Sequence, residues 1–175
     1  LMLDANMAEI FIEYIRRGLP QSLETMPNAG ATAPMHPAGA LTLGIAETLG
    51  GLCLGYAVDD KACVSIDVNL SYSDMSTGIF KYAGAERTSL LGGRIQMISE
   101  YYGCPSGVHG CKTDACLPDL RAGMEKGTSM MAAILCGAVG VGTIGQIENA
   151  LTFSLTQLVM DNEIARYVRR AIRGF

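Results

Sequence analysis

The sequence predicts an α/β fold, a partial (β/α)8 TIM barrel of about four βα units with parallel strands and covering helices. Three observations predict it. Apolar stretches of strand length and helix length alternate along the chain. Candidate strands start near residues 21, 63, 105 and 138, intervals wide enough for a helical crossover between parallel neighbours. No Asn-Gly hairpin signal lies between them, and no GxGxxG fingerprint marks a dinucleotide fold, although a doubly wound sheet stays open as the alternative.

Residues 4 to 17 space Met7, Ile10, Phe11, Tyr14 and Ile15 along one helical face, which ends at Gly18 and Pro20. A short strand follows over 21 to 26. The segment MPNAGATAPMHPAGALTLGIAE (26 to 47) opens with turn chemistry and becomes an apolar helix running from about Pro37 to Ala57, as expected of a strand leading through a shaped loop into a covering helix. CVSIDVNL (63 to 70) is rich in β-branched residues and reads as a strand, and SYSDMSTG (71 to 78) reads as a loop. A helix from about Ala85 to Tyr102 leads through Gly103 and Pro105 to a brief strand, PSGVHG. After the polar loop CKTDACLPD, Pro118 suits the first turn of a helix reaching about Cys136. AVGVGTIG (138 to 145) reads as the fourth strand and GQIENA as its loop. One or two last helices span about Leu151 to Ile172, with Ile164, Val168 and Ile172 inward and Arg166, Arg169, Arg170 and Arg173 outward as a solvated basic face.

A length of 175 residues with 49% hydrophobic content suits one packed domain, read here as a single incomplete barrel over 1–175. The opening Leu and the stop just after a helix read as a piece of a longer chain, and the open sheet edges of such a piece imply a homo-oligomer. Seventeen acidic against thirteen basic residues leave a charge of -4 and no footprint for nucleic acid. No apolar run reaches the roughly 18 residues that span a bilayer. Acidic residues occupy the start where a signal peptide is basic, so the reading is cytoplasmic, with no membrane contact. The six scattered cysteines read as free thiols.

In a barrel the loops that follow strands gather at one rim. Those loops, MPNAGATAP, SYSDMSTG, HGCKTDAC and GQIENA, carry residues able to bind or react, whereas VDDKA and YYGCP on the other side are shorter. The asymmetry points to an enzyme.

Four blocks, GATAPMHPAGALTLGIAETLGG (30 to 51), DMSTG (74 to 78), TDACLPDLRAGMEK (113 to 126) and ALTFSLTQLVMDNEIARYVRR (150 to 170), resemble in that order the trimethylamine methyltransferase family. The resemblance implies a TIM barrel that moves a methyl group from a methylated amine, tertiary or quaternary, to the Co(I) of a corrinoid carried by a partner protein, with no tightly bound cofactor of its own. Complete members are far longer. The segment that bears pyrrolysine in part of the family falls near Gly107 to Cys111, where this sequence has none, which implies the branch without it. IENA at 147 to 150 departs from the usual Leu-Asp-Ser-Gly type of sequence.

A methylated cation is held by aromatic faces and carboxylates. Tyr72, Asp74, Asp114 and Glu148 are the rim candidates, with His109 as a polar contact to substrate or corrinoid. The bland readings are turn capping for Asp74 and Asp114, packing for Tyr72 and a solvated carboxylate for Glu148. Gly30, Pro34, Gly78 and Gly110 are expected to shape the rim loops. No protein residue is expected to act as a chemical catalyst or to hold a metal. The rival reading, a zinc-dependent thiol methyltransferase, would use His109, Cys111 and a further cysteine, Cys116 or Cys136. A noncatalytic barrel fragment or subunit that needs a complementary chain is the other alternative.

Overall fold

The computed structural model describes residues 3–174, so the expectations drawn from Leu1 and Phe175 lie outside the described residues. Asp4 starts helix α1 (Ala5–Arg16) by accepting hydrogen bonds from the Asn6 and Met7 N–H groups. Only Phe11 and Ile15 of its expected apolar face are buried; Met7, Ile10 and Tyr14 are exposed. The chain then forms β1 (Gln21–Thr25), β2 (Asn28–Ala29), helix α2 (Pro37–Val58) and β3 (Val64–Val68). β1 and β3 pair in parallel, from Gln21 opposite Val64 to Thr25 opposite Val68.

Why α2 is rich in glycine follows from its packing. Gly44, Gly51 and Gly55 lie against the two strands, where an added Cβ would come within 2.5 Å of Val68, 2.2 Å of Leu23 and 2.7 Å of Val64. The helix therefore sits closer to the sheet than any side chain would allow. By length and composition α2 could also cross a membrane, with a mean hydropathy of 1.4 over 18 residues, which corrects the expectation that no such stretch exists. Here its glycine face covers β1 and β3, and Ala40 and Ile45 join Ala29, Val68 and Leu70 in a core cluster.

After β4 (Ser71–Ser73) and β5 (Phe80–Lys81) comes α3 (Gly84–Gln96), extended by a π-helical turn over Met97–Tyr101. β6 (Gly107–Val108), α4 (Leu120–Leu135) and β7 (Gly140–Val141) follow, with β6 and β7 parallel. The chain closes with β8 (Gln146–Ile147), β9 (Thr152–Phe153) and α5 (Leu155–Arg173). Leu91, Ile95, Val108 and Ala133 form a second cluster, and Cys111, Met130 and Val168 a third.

The four expected strands and their crossover helices are thus present, but they form two parallel pairs and no closed barrel. Among the described residues no ladder joins β3 to β6. Two buried arginines of α3 bridge them instead. Arg94 Nη2 reaches the Asp67 carboxylate and the Gly107 carbonyl, the latter at 2.8 Å. Arg87 donates to the Leu70 carbonyl at 2.5 Å, to Asn69 Oδ1 at 2.7 Å and to the His109 carbonyl at 3.5 Å. The two arginines thus link Asp67 with Gly107 and Asn69 with His109, tying the β1-β3 pair to the β6-β7 pair through side chains.

Three boundaries differ from the sequence reading for local reasons. Asp119, not Pro118, stands at the start of α4, because its carboxylate accepts from the Ala122 N–H at 2.9 Å. Ser154 caps α5, so the helix begins at Leu155, after the β8–β9 hairpin that replaces an expected loop and helical start. The segment 71 to 78, read as a loop, opens with β4, which pairs with β2 in parallel and with β5 in antiparallel fashion.

Candidate functional site

Alternation along the strands separates two faces. Leu23, Thr25, Val64 and Val68 turn toward α2; Thr25 Oγ1 donates to the Gly44 carbonyl at 3.2 Å. Val108 and Val141 likewise pack with α3 and α4. Glu24, Asp67 and His109 occupy the opposite face, where His109 Nε2 lies 3.4 Å from Glu24 Oε1. The His109 hydrogen bond holds the Glu24 carboxyl below the usual range against the opposing effect of burial, helped by the charges of His109, Arg94 and Lys112. A polar floor is built from three strands and one helix.

At the carboxyl ends of the strands the connecting segments are fastened to one another. β2 pairs with β4, joining the segment after β1 to the one after β3. Asn149 in the β8–β9 turn donates from Nδ2 to the Phe80 carbonyl and accepts from the Tyr82 N–H, both at 2.8 Å, so its side-chain amide behaves as an extra strand residue beside β5. The Glu148 and Asn149 N–H groups donate to the Ala115 and Thr113 carbonyls. Lys81 Nζ lies 3.4 Å from Asp114 Oδ2. All four post-strand segments therefore share one rim. The price is backbone strain: Glu148, Asn149 and Ala150 all have φ between 54° and 70°.

The expected site residues fall on this rim in different roles. Tyr72 on β4 donates to Glu86 Oε2 at 3.0 Å; burial first, then Glu86, Asp114 and Asp74, push its hydroxyl pKa well up. Those charges place Tyr72, Asp74 and Asp114 in one neighbourhood. Asp74 itself is the acceptor of a tight turn, bonded to the Ser76 N–H at 2.9 Å and the Ser76 hydroxyl at 2.6 Å, and the hydroxyl chiefly lowers its pKa. Asp114 is held by Lys81 while its own N–H donates to Glu125 Oε2, and its Oδ1 is buried with no partner. Glu148 turns away, accepting from the Thr152 hydroxyl at 2.6 Å on an exposed surface.

Among the loop-shaping residues, Gly30 and Gly78 adopt φ of 89° and 71°, open chiefly to glycine. Gly110 shows no such φ; it sits in a tight spot, where a Cβ would come 3.1 Å from the Val108 and Val141 side chains. Pro34 lies over the first turn of α2, 3.1 Å from where a Gly39 Cβ would sit.

The zinc arrangement is not assembled. His109 lies on the polar face, whereas Cys111 is sealed against Met130 and Val168, and burial followed by the Asp161 charge pushes its thiol up to about 12. Among the described residues no group of three His, Cys, Asp or Glu side chains is placed to hold a metal.

Glu24, Arg87, Arg94 and Lys112 were not among the sequence candidates. The polar positions alternating through SLET and SIDVN mark the open face of β1 and β3, and that signal is in the sequence. The two arginines and Lys112 give none, because their partners are distant in the chain.

Residues 1–175 match the family model described as trimethylamine methyltransferase. The chain belongs to the trimethylamine methyltransferase family. It is 32% identical over 174 residues to trimethylamine methyltransferase MttB2 of Methanosarcina mazei, covering 99% of this chain and 35% of that protein. It is 29% identical over 169 residues to MttB of Desulfitobacterium hafniense, covering 97% and 34%. To the glycine betaine methyltransferase of Desulfitobacterium hafniense it is 28% identical over 176 residues, covering 100% and 36%. The chain spans about a third of the length of the curated relatives it matches.

Proposed function

We propose that this chain is the part of a methyltransferase that receives a methylated amine and presents one of its methyl groups to the Co(I) of a corrinoid carried by a partner protein. The names of the family and its relatives support the methylated amine, and the observation that carries the site is the joining of four post-strand segments at one rim above a polar floor. In this reading the two parallel pairs belong to one TIM barrel completed by further βα units, whose carboxyl-end rim is the mouth.

A cation with no N–H to donate needs negative charge and polarisable faces near it. Asp114 suits this role, since its Oδ1 is buried without a donor and Lys81 engages only Oδ2. Glu24 adds a second carboxylate on the floor, and Tyr72 an aromatic edge. A Co(I) corrinoid brought by the partner would supply the electron pair for displacement at carbon, and the amine would leave with the pair of the broken carbon–nitrogen bond. The chain's task is positioning, so no residue here needs to exchange a proton in the transfer step.

The test uses the full-length protein, its corrinoid partner reduced to Co(I), and a panel holding trimethylamine and glycine betaine. Loss of the Co(I) absorbance with at least one amine is expected, and Asp114→Asn should lower kcat/KM by roughly tenfold, the loss of about one charge-assisted contact. No transfer across the panel would overturn the reading.

A further inference from the structure

Helix α3 begins without a cap. Its N-cap position is Ala83, which has no side-chain acceptor, and the first-turn carboxylate nearest this end is Glu86, whose Oε2 lies 3.4 Å from where a Gly84 Cβ would sit. Beside it stands Lys112, 7% exposed, which donates to no oxygen and faces no carboxylate within ion-pair distance among the described residues. Its ammonium instead sits 4.4 Å from the centre of the Tyr82 ring. Arg87, in the first turn of the same helix, is 2% exposed and keeps its Nε buried without an acceptor. Glu86, the acidic residue of that turn, is committed to the Tyr72 hydroxyl.

Lys112, Arg87 and the Gly84 end of α3 border one cavity of about 10 Å³, which Gly110 and Ser129 also line. No carboxylate lines it. Glu24 is the anion whose charge reaches both Lys112 and Arg87, and it is already in contact with His109. Among the described residues neither the Lys112 ammonium nor Arg87 Nε has an acceptor, and an anion in the cavity would supply one to both.

We propose that Lys112, Arg87 and the N-terminus of α3 form a carboxylate-binding site at the mouth, taking one carboxylate oxygen into the cavity. The size sets how much of the ligand enters: about 10 to 15 Å³ holds a single water-sized atom, so one oxygen enters and the rest of the ligand lies outside toward the rim. Two sources share this chemistry, a free small carboxylate and the carboxylate of a methyl donor. The site stands independently of the methyl-transfer reading, because binding needs neither a corrinoid nor turnover.

The experiment titrates the full-length protein at pH 7 with sodium acetate, sodium chloride, glycine betaine and choline chloride, following calorimetric heat and the thermal midpoint at constant ionic strength. Acetate should bind saturably and raise the midpoint where chloride does not. Lys112→Met, checked for a wild-type circular dichroism spectrum, should weaken acetate by at least about tenfold, as expected for a lost charged hydrogen bond, and Lys112→Arg should restore part of it. Betaine binding much tighter than acetate, with choline inert, assigns the carboxylate to the donor; equal binding of acetate and betaine assigns it to a free acid. Acetate behaving like chloride in the wild-type protein would overturn the site whatever the variants do, as would Lys112→Met binding acetate like the wild type.

Discussion

Lys112 and Lys126 are both buried, at 7% and 0% exposure, and are balanced in opposite ways. Lys126 on α4 has no exposed surface and meets Asp161 of α5 at 2.6 Å. The same carboxylate accepts from the Gly145 N–H and from Gln157 Nε2, both at 2.7 Å, so the charge is compensated from α4, α5 and the segment after β7. Lys112 has an aromatic face and no counter-ion. The difference teaches which buried cation belongs to the scaffold: a charge whose partners are all internal fastens elements together, and a charge left without one awaits a partner from outside.

Removing Asp161 breaks this comparison most severely. Asp161→Ala strands Lys126 and should cost about 3 to 5 kcal/mol, read as a lower urea midpoint at unchanged slope. Next, Gly51→Ala places a methyl group within 2.2 Å of Leu23 Cδ1, and overpacking of this kind should cost about 1 to 3 kcal/mol. Lys112→Met should do the reverse of Asp161→Ala, with a small rise in the urea midpoint, since it removes a charge that no carboxylate contacts. Burial, then the Arg87 charge, push Lys112 down to about 8 against the pull of Glu24. Acetate affinity should therefore hold below pH 8 and fall as pH rises through it. Because the folded pKa lies below the unfolded one, the unfolded chain binds more protons between pH 8 and the ordinary lysine range, and stability from this group should increase with pH there.

The smallest effect belongs to Glu24. Glu24→Gln removes its contact with His109 and should cost less than about 1 kcal/mol near neutrality, as for other partly exposed pairs. Its lowered folded pKa gives stability that is fully present above the ordinary carboxylate pKa and is lost as pH falls through the folded value. The variant should flatten that acid limb in a urea series.

What the sequence could reveal tracks the range of the interaction. The strands at 21, 63, 105 and 138 were legible because apolar alternation is local, and so were the helices between them. The gathering of post-strand segments at one rim was legible as topology, but its fastenings were not: Asn149 meets Phe80 across 69 positions, and Asp161 meets Lys126 across 35. Arg87 and Arg94 carry no local mark of burial, and their interior place follows from partners 13 to 27 positions away. Asp74 and Glu148 were legible as loop carboxylates; their short-range acceptor roles toward Ser76 and Thr152 show why loop composition alone does not separate a binding group from a turn former.

In an ordinary sheet, adhesion between neighbours is spread over a row of main-chain bonds, of which a single codon change, to proline, can delete only one. Between β3 and β6 it resides in two guanidinium groups on one helix. That seam is therefore heritable in a way the rest of the sheet is not: one missense change at either arginine severs a link that elsewhere is guaranteed by the peptide unit itself.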